Sequence, residues 1–232
     1  MEKKQKNKTS LVEVARQAIE DQLLTGRLRP DQHLREAELA ENFGISRTPL
    51  REALRQLETK GLIKKRHSLG YVVVYHSLED IRNSFEVRLP LEKTAIRLAC
   101  ENATQEHIDR ASRILTRYDE ELAAPHKPQK GLVKRINTDS DWNGLFHKEL
   151  YQAAGNELLT RHILNLRDLD RLIRITLDLK LADFQRFQAQ HHKILNAVKQ
   201  RNKTRAEKEV QEHILTLFRF YLRTASDYTI RI

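Results

Sequence analysis

The sequence predicts a mostly α-helical chain with one small β-hairpin, and three observations support this fold class. Glycine and proline, which interrupt helices, number only 7 and 5 among 232 residues. Apolar residues recur at helical spacing along most of the chain, whereas a strand-like run occurs only near residues 62–75. With 39% hydrophobic residues the chain can build a core, and its length suits one large domain or two modest ones.

Two helices are predicted in the first 43 residues. Ser10 and Glu13 have the spacing of a capping box, and apolar residues at helical intervals extend the first helix towards Gly26. A short second helix is expected over residues 35–43. Gly44 is expected to end it, because glycine adopts the backbone conformation that commonly terminates helices.

A third helix and a hairpin complete the first predicted domain. The helix is expected to begin between Ser46 and Pro49 and to stop at Gly61. The following segment, LIKKRHSLGYVVVYH, reads as two strands, 62–66 and 71–75, around a turn at 67–70. Three helices, a tight connection between the second and third, and a hairpin are the layout of a winged helix-turn-helix. We assign this domain to residues 1–76.

The remainder, residues 77–232, is predicted to be an all-α bundle of six to seven helices. A segment with two prolines and a basic run, about 123–140, is expected to be a loop within it. The predicted helices cover residues 78–101, 104–123, 138–154, 156–180, 184–201 and 203–227.

Charge and cysteine content narrow the function classes. The net charge of +10 favours a polyanionic partner, chiefly nucleic acid. No apolar run is long enough to cross a membrane, and the basic N-terminus lacks the features of a secretory signal. The single cysteine, Cys100, allows neither an intrachain disulfide nor a Cys-rich zinc module. We therefore expect a cytoplasmic protein.

The third helix carries a basic stripe that can enter the major groove of DNA. Arg47, Arg51 and Arg55 are four residues apart and so share one face. Side chains near the start of such a helix usually contact bases, so Arg47 and Arg51 are the stronger base readers. Ser46 and Thr48 can add base or phosphate contacts. Arg55 is expected to bind the DNA backbone or to form a surface ion pair, and a solvated stripe paired with acidic neighbours is the alternative for all three arginines.

The hairpin is the second candidate DNA contact. Gly70 lets the backbone approach a phosphate or the floor of the minor groove, and His67 lies in a basic surrounding that includes Lys64, Lys65 and Arg66. An ordinary basic hairpin is the alternative.

Four polar residues of the second domain form a candidate metal site. Asn143 and His147 are separated by one helical turn, and His191 and His213 lie on two later helices. Three helices of a bundle can bring these side chains together, and imidazole is a common ligand of divalent transition metals. From the residues alone, scattered histidines are more often core or surface residues without a ligand.

Longer segments resemble a known family. LAENFGISRTPLREALRQLETKGLI resembles the DNA-binding domain of GntR-type bacterial transcription regulators. The helical remainder is similar to the effector-binding FCD domain of their FadR-like branch. The segments that carry this similarity are VRLPLEKTAIRLA (87–99), NGLFHKEL (143–150), QHHKILNAV (190–198) and VQEHI (210–214). Some relatives read a base with an arginine of the second helix, but Ala37 occupies that position here.

The resemblance implies a divalent metal at Asn143, His147, His191 and His213, with zinc, nickel or manganese as candidates. The family commonly has an aspartate where this chain has Asn143, and a neutral amide is the weaker ligand. Asp139 and Asp141 fall on the wrong side of the helix. His192 is an alternative to His191, which the register favours.

A metal with neutral ligands keeps its charge and can bind a small carboxylate effector. Arg88 and Arg174 are candidates for holding the far end of that effector. Either arginine can instead form a structural ion pair, such as Arg88 with Glu92.

The expected protein is therefore a homodimeric transcription regulator that binds double-stranded operator DNA, with repression favoured and activation left open. The resemblance and the two-fold symmetry of operators imply the dimer. Two other functions are less favoured. A metal-dependent hydrolase or lyase lacks a general base at a suggestive spacing, and a DNA-packaging protein leaves the helical domain without a role.

Overall fold

The structure, a computed structural model, describes residues 2–24, 27–66, 70–74, 77–124, 141–174 and 179–229. The chain forms two compact units. One comprises Met1–His76 with Asp168–Thr176, and the other comprises Ser77–Arg167 with Leu177–Ile232.

The first unit contains helices α1 (Glu2–Leu24), α2 (Glu36–Phe43) and α3 (Arg47–Thr59). All three predicted helices are present, but α1 begins eight residues before Ser10, so the predicted capping box there is wrong. The segment before Ser10 is rich in lysine, carries one glutamate and one glutamine, and has neither glycine nor proline. These residues propagate a helix well, which allows α1 to continue through Ser10.

The turn between α2 and α3 forms as predicted. Gly44 has φ of 60° and caps α2, and the N–H groups of Gly44 and Ile45 donate to the carbonyls of Glu41 and Ala40, both at 3.1 Å. Ser46 is the N-cap of α3 by its extended backbone, but its hydroxyl makes no capping hydrogen bond. That hydroxyl is exposed on the surface.

Three short antiparallel strands form one sheet in the order β1-β3-β2: β1 (His33–Leu34), β2 (Ile63–Arg66) and β3 (Gly70–Val73). The hairpin of β2 and β3 confirms the predicted wing, whereas β1 was not predicted because two residues carry no periodicity. Gly70 belongs to β3 and has φ of 77°. A Cβ there would lie 3.2 Å from the carbonyl oxygen of Leu34 in β1. The predicted turn residues 67–69 lie outside the described residues.

The apolar side of α3 forms the core of the first unit. Leu50, Leu54 and Leu57 have no exposed surface and pack in one cluster with Ile19 and Leu23 of α1. Because one side of α3 is buried in this way, its arginines are left on the opposite side.

The second unit is entirely helical in its described part. It contains α4 (Leu78–Asn102), α5 (Gln105–Ala123), α6 (Trp142–Gln152), α7 (Glu157–Arg174, whose residues from Asp168 onwards are grouped with the first unit), α8 (Leu181–Lys199) and α9 (Lys203–Thr229). This confirms the predicted fold class, a winged helix-turn-helix followed by an α-helical bundle. Of the predicted loop, about 123–140, residues 125–140 lie outside the described part, and Ala123 is the last residue of α5. None of the described helices is both long and apolar enough to span a membrane.

The packing of these helices places α6, α8 and α9 around a common centre. α9 packs against α4 and α8, α8 packs against α5, and α6 packs against α4 and α5. α6 turns two of the candidate metal ligands into the interior, and α8 and α9 turn one each.

Candidate metal centre and nucleic-acid interface

Three histidines from three helices meet in the interior of the second unit. His147 of α6, His191 of α8 and His213 of α9 are all buried, and one nitrogen of each ring lies within 4.8 Å of the others. His147 Nε2 and His191 Nε2 are 3.2 Å apart. Two nitrogens bound to one tetrahedral zinc ion lie about 3.3 Å apart, so this spacing suits a shared metal.

Two glutamines orient two of the rings. His191 Nδ1 is 3.1 Å from Gln188 Oε1, and His213 Nδ1 is 3.1 Å from Gln190 Oε1. The amide nitrogen of Gln188 donates to the Leu115 carbonyl and to Asp119, and that of Gln190 donates to the Thr216 hydroxyl. Each amide therefore directs its oxygen at the ring, which requires Nδ1 to carry the proton and Nε2 to carry the lone pair.

Tyr151 orients the third ring in the same way. Its hydroxyl donates to Glu92 Oε2 at 2.6 Å and lies 3.1 Å from His147 Nδ1. Since that proton is given to Glu92, the hydroxyl accepts from the Nδ1–H of His147. The Nε2 lone pairs of His147 and His191 then face each other and repel unless a cation lies between them. The donor set fits a divalent transition metal.

Asn143 is buried on α6, one turn before His147. Asp141 is the N-cap of the same helix, and its carboxylate accepts from the Gly144 N–H at 2.9 Å, which commits this oxygen to the helix start. His192 is exposed and lies 2.9 Å from Asp119, so His191 is the member of this pair that enters the cluster. Asp139 lies outside the described residues.

A buried charged network adjoins the histidines. Two nitrogens of Arg88 lie 2.9 Å from Glu92 Oε1, which is the ion pair that the sequence left open as an alternative for Arg88. Arg167 of α7 lies 3.7 Å from Glu92 and donates to the Tyr151 hydroxyl at 3.3 Å. Burial tends to raise the pKa of Glu92, but the two arginines and the Tyr151 hydrogen bond outweigh it, and the pKa is lowered.

Arg174, the other predicted effector ligand, is on α7, but its side chain is not among those described. Arg167, two turns earlier on the same helix, reaches the network instead. Four residues around the histidines were not predicted from the sequence, namely Tyr151, Arg167, Gln188 and Gln190, and Glu92 was named only as an alternative partner of Arg88. Their local signals are one-turn spacings, of Tyr151 from His147 and of Gln188 from His191.

His147 is held in its neutral form. Burial lowers its pKa well below the ordinary value of 6.5, and the positive charge of Arg167 and the neighbouring histidines lower it further. A neutral imidazole is the form that can bind a metal ion.

In the first unit, the predicted DNA-reading residues share one exposed surface. Ser46, Arg47, Thr48, Arg51 and Arg55 are all exposed. The three arginines differ in their partners. Arg47 has none among the described residues, Arg51 Nε donates to Glu36 of α2 at 2.6 Å, and Arg55 lies 3.7 Å from Glu52 of its own helix.

The hairpin extends this surface. Lys64, Lys65 and Arg66 of β2 are exposed, and the Lys65 N–H donates to Glu58 of α3 at 2.9 Å, which ties the strand to the helix. A groove of about 860 Å³ lies on this surface beside α3. It is lined by Val12, Glu36, Thr48, Pro49, Arg51, Glu52, Arg55, Gln56, Lys65 and Tyr71. His67 lies outside the described residues.

Comparison with known proteins confirms the resemblance. Residues 83–216 match the FCD domain, and residues 11–73 match the bacterial regulatory proteins of the gntR family. The chain is 27% identical over 198 residues to the HTH-type transcriptional regulator YdhC of Bacillus subtilis, which covers 84% of each chain. It is 26% identical over 219 residues to a probable D-xylose utilization operon transcriptional repressor of Paenarthrobacter nicotinovorans, covering 92% of this chain and 87% of that one.

A solved structure shares the fold. The structure of E. coli McbR/YncC superimposes with a TM-score of 0.78 at 22% identity and covers 93% of this chain and 98% of that one.

We predict that the metal-free protein loses stability as the pH falls below 6.5, in part because of His147. The pKa of this imidazole is lowered in the folded chain, so the unfolded chain takes up a proton that the folded chain does not. The contribution of His147 to the free energy of unfolding is fully present above pH 6.5. Below that value it falls by up to about 1.4 kcal/mol per pH unit. Urea unfolding between pH 5 and 8, with a chelator present, measures the slope.

The control for this slope is a pair of variants. His147→Gln should flatten the dependence, whereas His162→Gln, at an exposed position, should leave it as it is. An unchanged slope in His147→Gln would contradict the assignment.

Proposed function

Because the chain belongs to the GntR family of bacterial transcription regulators and carries an FCD domain, we propose that it is a repressor controlled by a small organic acid bound at a metal. Like its relatives, it is a transcription regulator and not an enzyme, so the hydrolase or lyase alternative is wrong. The relative from Paenarthrobacter nicotinovorans, named as a probable repressor, supports the direction of control.

DNA recognition is assigned to α3 and the hairpin. The exposed Arg47 and Arg51 read base edges, and Ser46 and Thr48 at the helix start contact bases or phosphates. Arg55, one turn further along, binds the backbone. The basic strand β2, Gly70 and His67 contribute phosphate contacts. A homodimer presents two such surfaces to a pseudo-palindromic operator.

The metal assignment depends mainly on one observation, the convergence of histidine nitrogens whose opposite ring nitrogens are all hydrogen-bonded. Tyr151, Gln188 and Gln190 contact the Nδ1 atoms of His147, His191 and His213 in that order, so we assign Nε2 of each ring to the metal. Asn143, buried one turn before His147, is the fourth candidate ligand. Zinc, nickel and manganese are the candidates for the ion.

The effector is a small carboxylate. Three neutral imidazoles and an amide leave the full charge of a divalent ion uncompensated, which favours an anionic ligand. Arg88 and Arg167 add positive charge nearby, but both already interact with Glu92. A carboxylate that reaches Arg88 must therefore share it with Glu92, and the metal is the stronger anchor. Arg174 stays a candidate for the distal end of the ligand.

We predict that Arg47→Ala and Arg51→Ala each reduce discrimination between a selected operator and random DNA. A bidentate contact from arginine to guanine is worth about 1–3 kcal/mol, so the ratio of dissociation constants should fall roughly 5- to 150-fold. The operator is obtained by selection from a randomised duplex library with the wild-type protein. Arg55→Ala is the matched control, expected to weaken binding to both DNAs alike. Full discrimination in either of the first two variants would refute the reading-helix assignment.

We predict about one divalent ion per chain in protein purified without a His-tag, because one ring nitrogen from each of three buried histidines converges. Elemental analysis gives the metal content. His191→Ala should lose the ion, whereas His192→Ala, the adjacent exposed histidine, should retain it. Wild-type protein that stays metal-free after soaking with zinc, nickel and manganese would remove the site.

We predict that a carboxylate stabilises the metal-loaded protein and not the metal-free protein. A ligand at one hundred times its dissociation constant adds roughly 2.7 kcal/mol to the unfolding free energy, which a thermal-shift screen of small carboxylates detects. His191→Ala with added metal should not respond. Equal stabilisation with and without metal would show that the effector binds elsewhere.

A further inference from the structure

The ion pair between Arg51 and Glu36 sets this arginine apart from its two neighbours. Arg51 Nε lies 2.6 Å from Glu36 Oε2, and the pair joins the first turn of α2 to the reading helix α3. The Glu36 side chain is 23% exposed, whereas that of Arg51 is 64% exposed. The glutamate is thus partly fixed in the surface, and the arginine extends outwards from it.

The bond through Nε leaves the two terminal nitrogens of Arg51 for DNA. Bidentate recognition of guanine needs two parallel donors, and the terminal nitrogens supply them in a fixed plane. A side chain held at Nε reaches a base in fewer conformations than a free side chain does. Among the described residues Glu36 is the only one that forms a hydrogen bond or ion pair with Arg51, so this glutamate is its main orienting contact.

The charge of Glu36 acts in the opposite direction on affinity. A carboxylate at a surface that faces phosphates repels DNA of any sequence. The same side chain therefore improves recognition of one base through its acceptor oxygen and weakens binding to all sequences through its charge.

We propose that Glu36 is a positioning residue that aims Arg51 at a base and reduces affinity for nonspecific DNA. This role rests on the proposed function, in which α3 reads the operator. It separates affinity from specificity: removing Glu36 should tighten binding to random DNA while discrimination falls.

Binding of full-length protein to the selected operator and to a random duplex of equal length tests the role. Glu36→Ala should bind random DNA more tightly and lose discrimination by about fivefold or more. Glu36→Gln keeps an acceptor for Nε without the charge, so it should bind both DNAs more tightly and keep its discrimination. Glu36→Asp keeps the charge but shortens the side chain, so it should lose discrimination with little change on random DNA.

The matched control is Glu38→Ala. Glu38 lies on the same helix and carries the same charge, but its partner is Arg35, at 3.0 Å, rather than a residue of α3. This variant should keep the discrimination of the wild type. Equal losses in Glu36→Ala and Glu38→Ala, or in Glu36→Ala and Glu36→Gln, would overturn the positioning role.

Variants of Arg51 separate this inference from the proposed function. In an Arg51→Ala background, Glu36→Ala should cause no further loss of discrimination, and additive losses would overturn the coupling. If Arg51→Ala itself discriminates fully, the reading-helix assignment fails. If Arg51→Ala loses discrimination and the folded Glu36→Ala and Glu36→Asp variants both retain it, only the role of Glu36 fails.

Discussion

The centre of the second unit depends on the repulsion between two buried imidazole nitrogens. His147 Nε2 and His191 Nε2 lie 3.2 Å apart, and each ring has its other nitrogen committed to a hydrogen bond with Tyr151 or Gln188. Two buried lone pairs facing each other in a low-dielectric interior repel, and a cation removes that repulsion. The two nitrogens come from α6 and α8, so an ion that relieves their repulsion and also binds His213 holds α6, α8 and α9 together.

Buried arginines beside the histidines add positive charge to the same interior, which favours an anionic ligand. Arg88 and Arg167 share the single carboxylate of Glu92, and Tyr151 links this carboxylate to the ring of His147. Removing one member of such a network leaves a buried charge without compensation, which usually costs several kcal/mol. A carboxylate ligand that joins the network adds the negative charge that two arginines and a metal ion lack. In the proposed function the network is therefore both a structural support and a source of selectivity for acids.

Local patterns in the sequence predict some of these features and not others. Helical periodicity places α2 and α3, and two strand-like runs around a turn place the hairpin, because each of these patterns is visible within a few residues. The resemblance supplies the four candidate metal ligands. Gln190 could not be assigned, since it contacts His213 across 23 residues and glutamine has no characteristic spacing. The start of α1 was misplaced because a good capping pattern at Ser10 does not exclude a longer helix.

Control of DNA binding by a small effector is limited by the free energy that one ligand provides. Coupling between two sites is typically about 1–3 kcal/mol. Shifting an equilibrium from 1:99 to 99:1 takes about 5.5 kcal/mol. One effector in one chain falls short of this, whereas two effectors acting on one dimer approach it. The +10 charge of each chain makes the requirement harder to meet, because nonspecific attraction to DNA does not depend on the effector. An acidic residue on the DNA-reading surface would lower the affinity for nonspecific DNA. Such a residue brings the required shift within the free energy that two ligands provide.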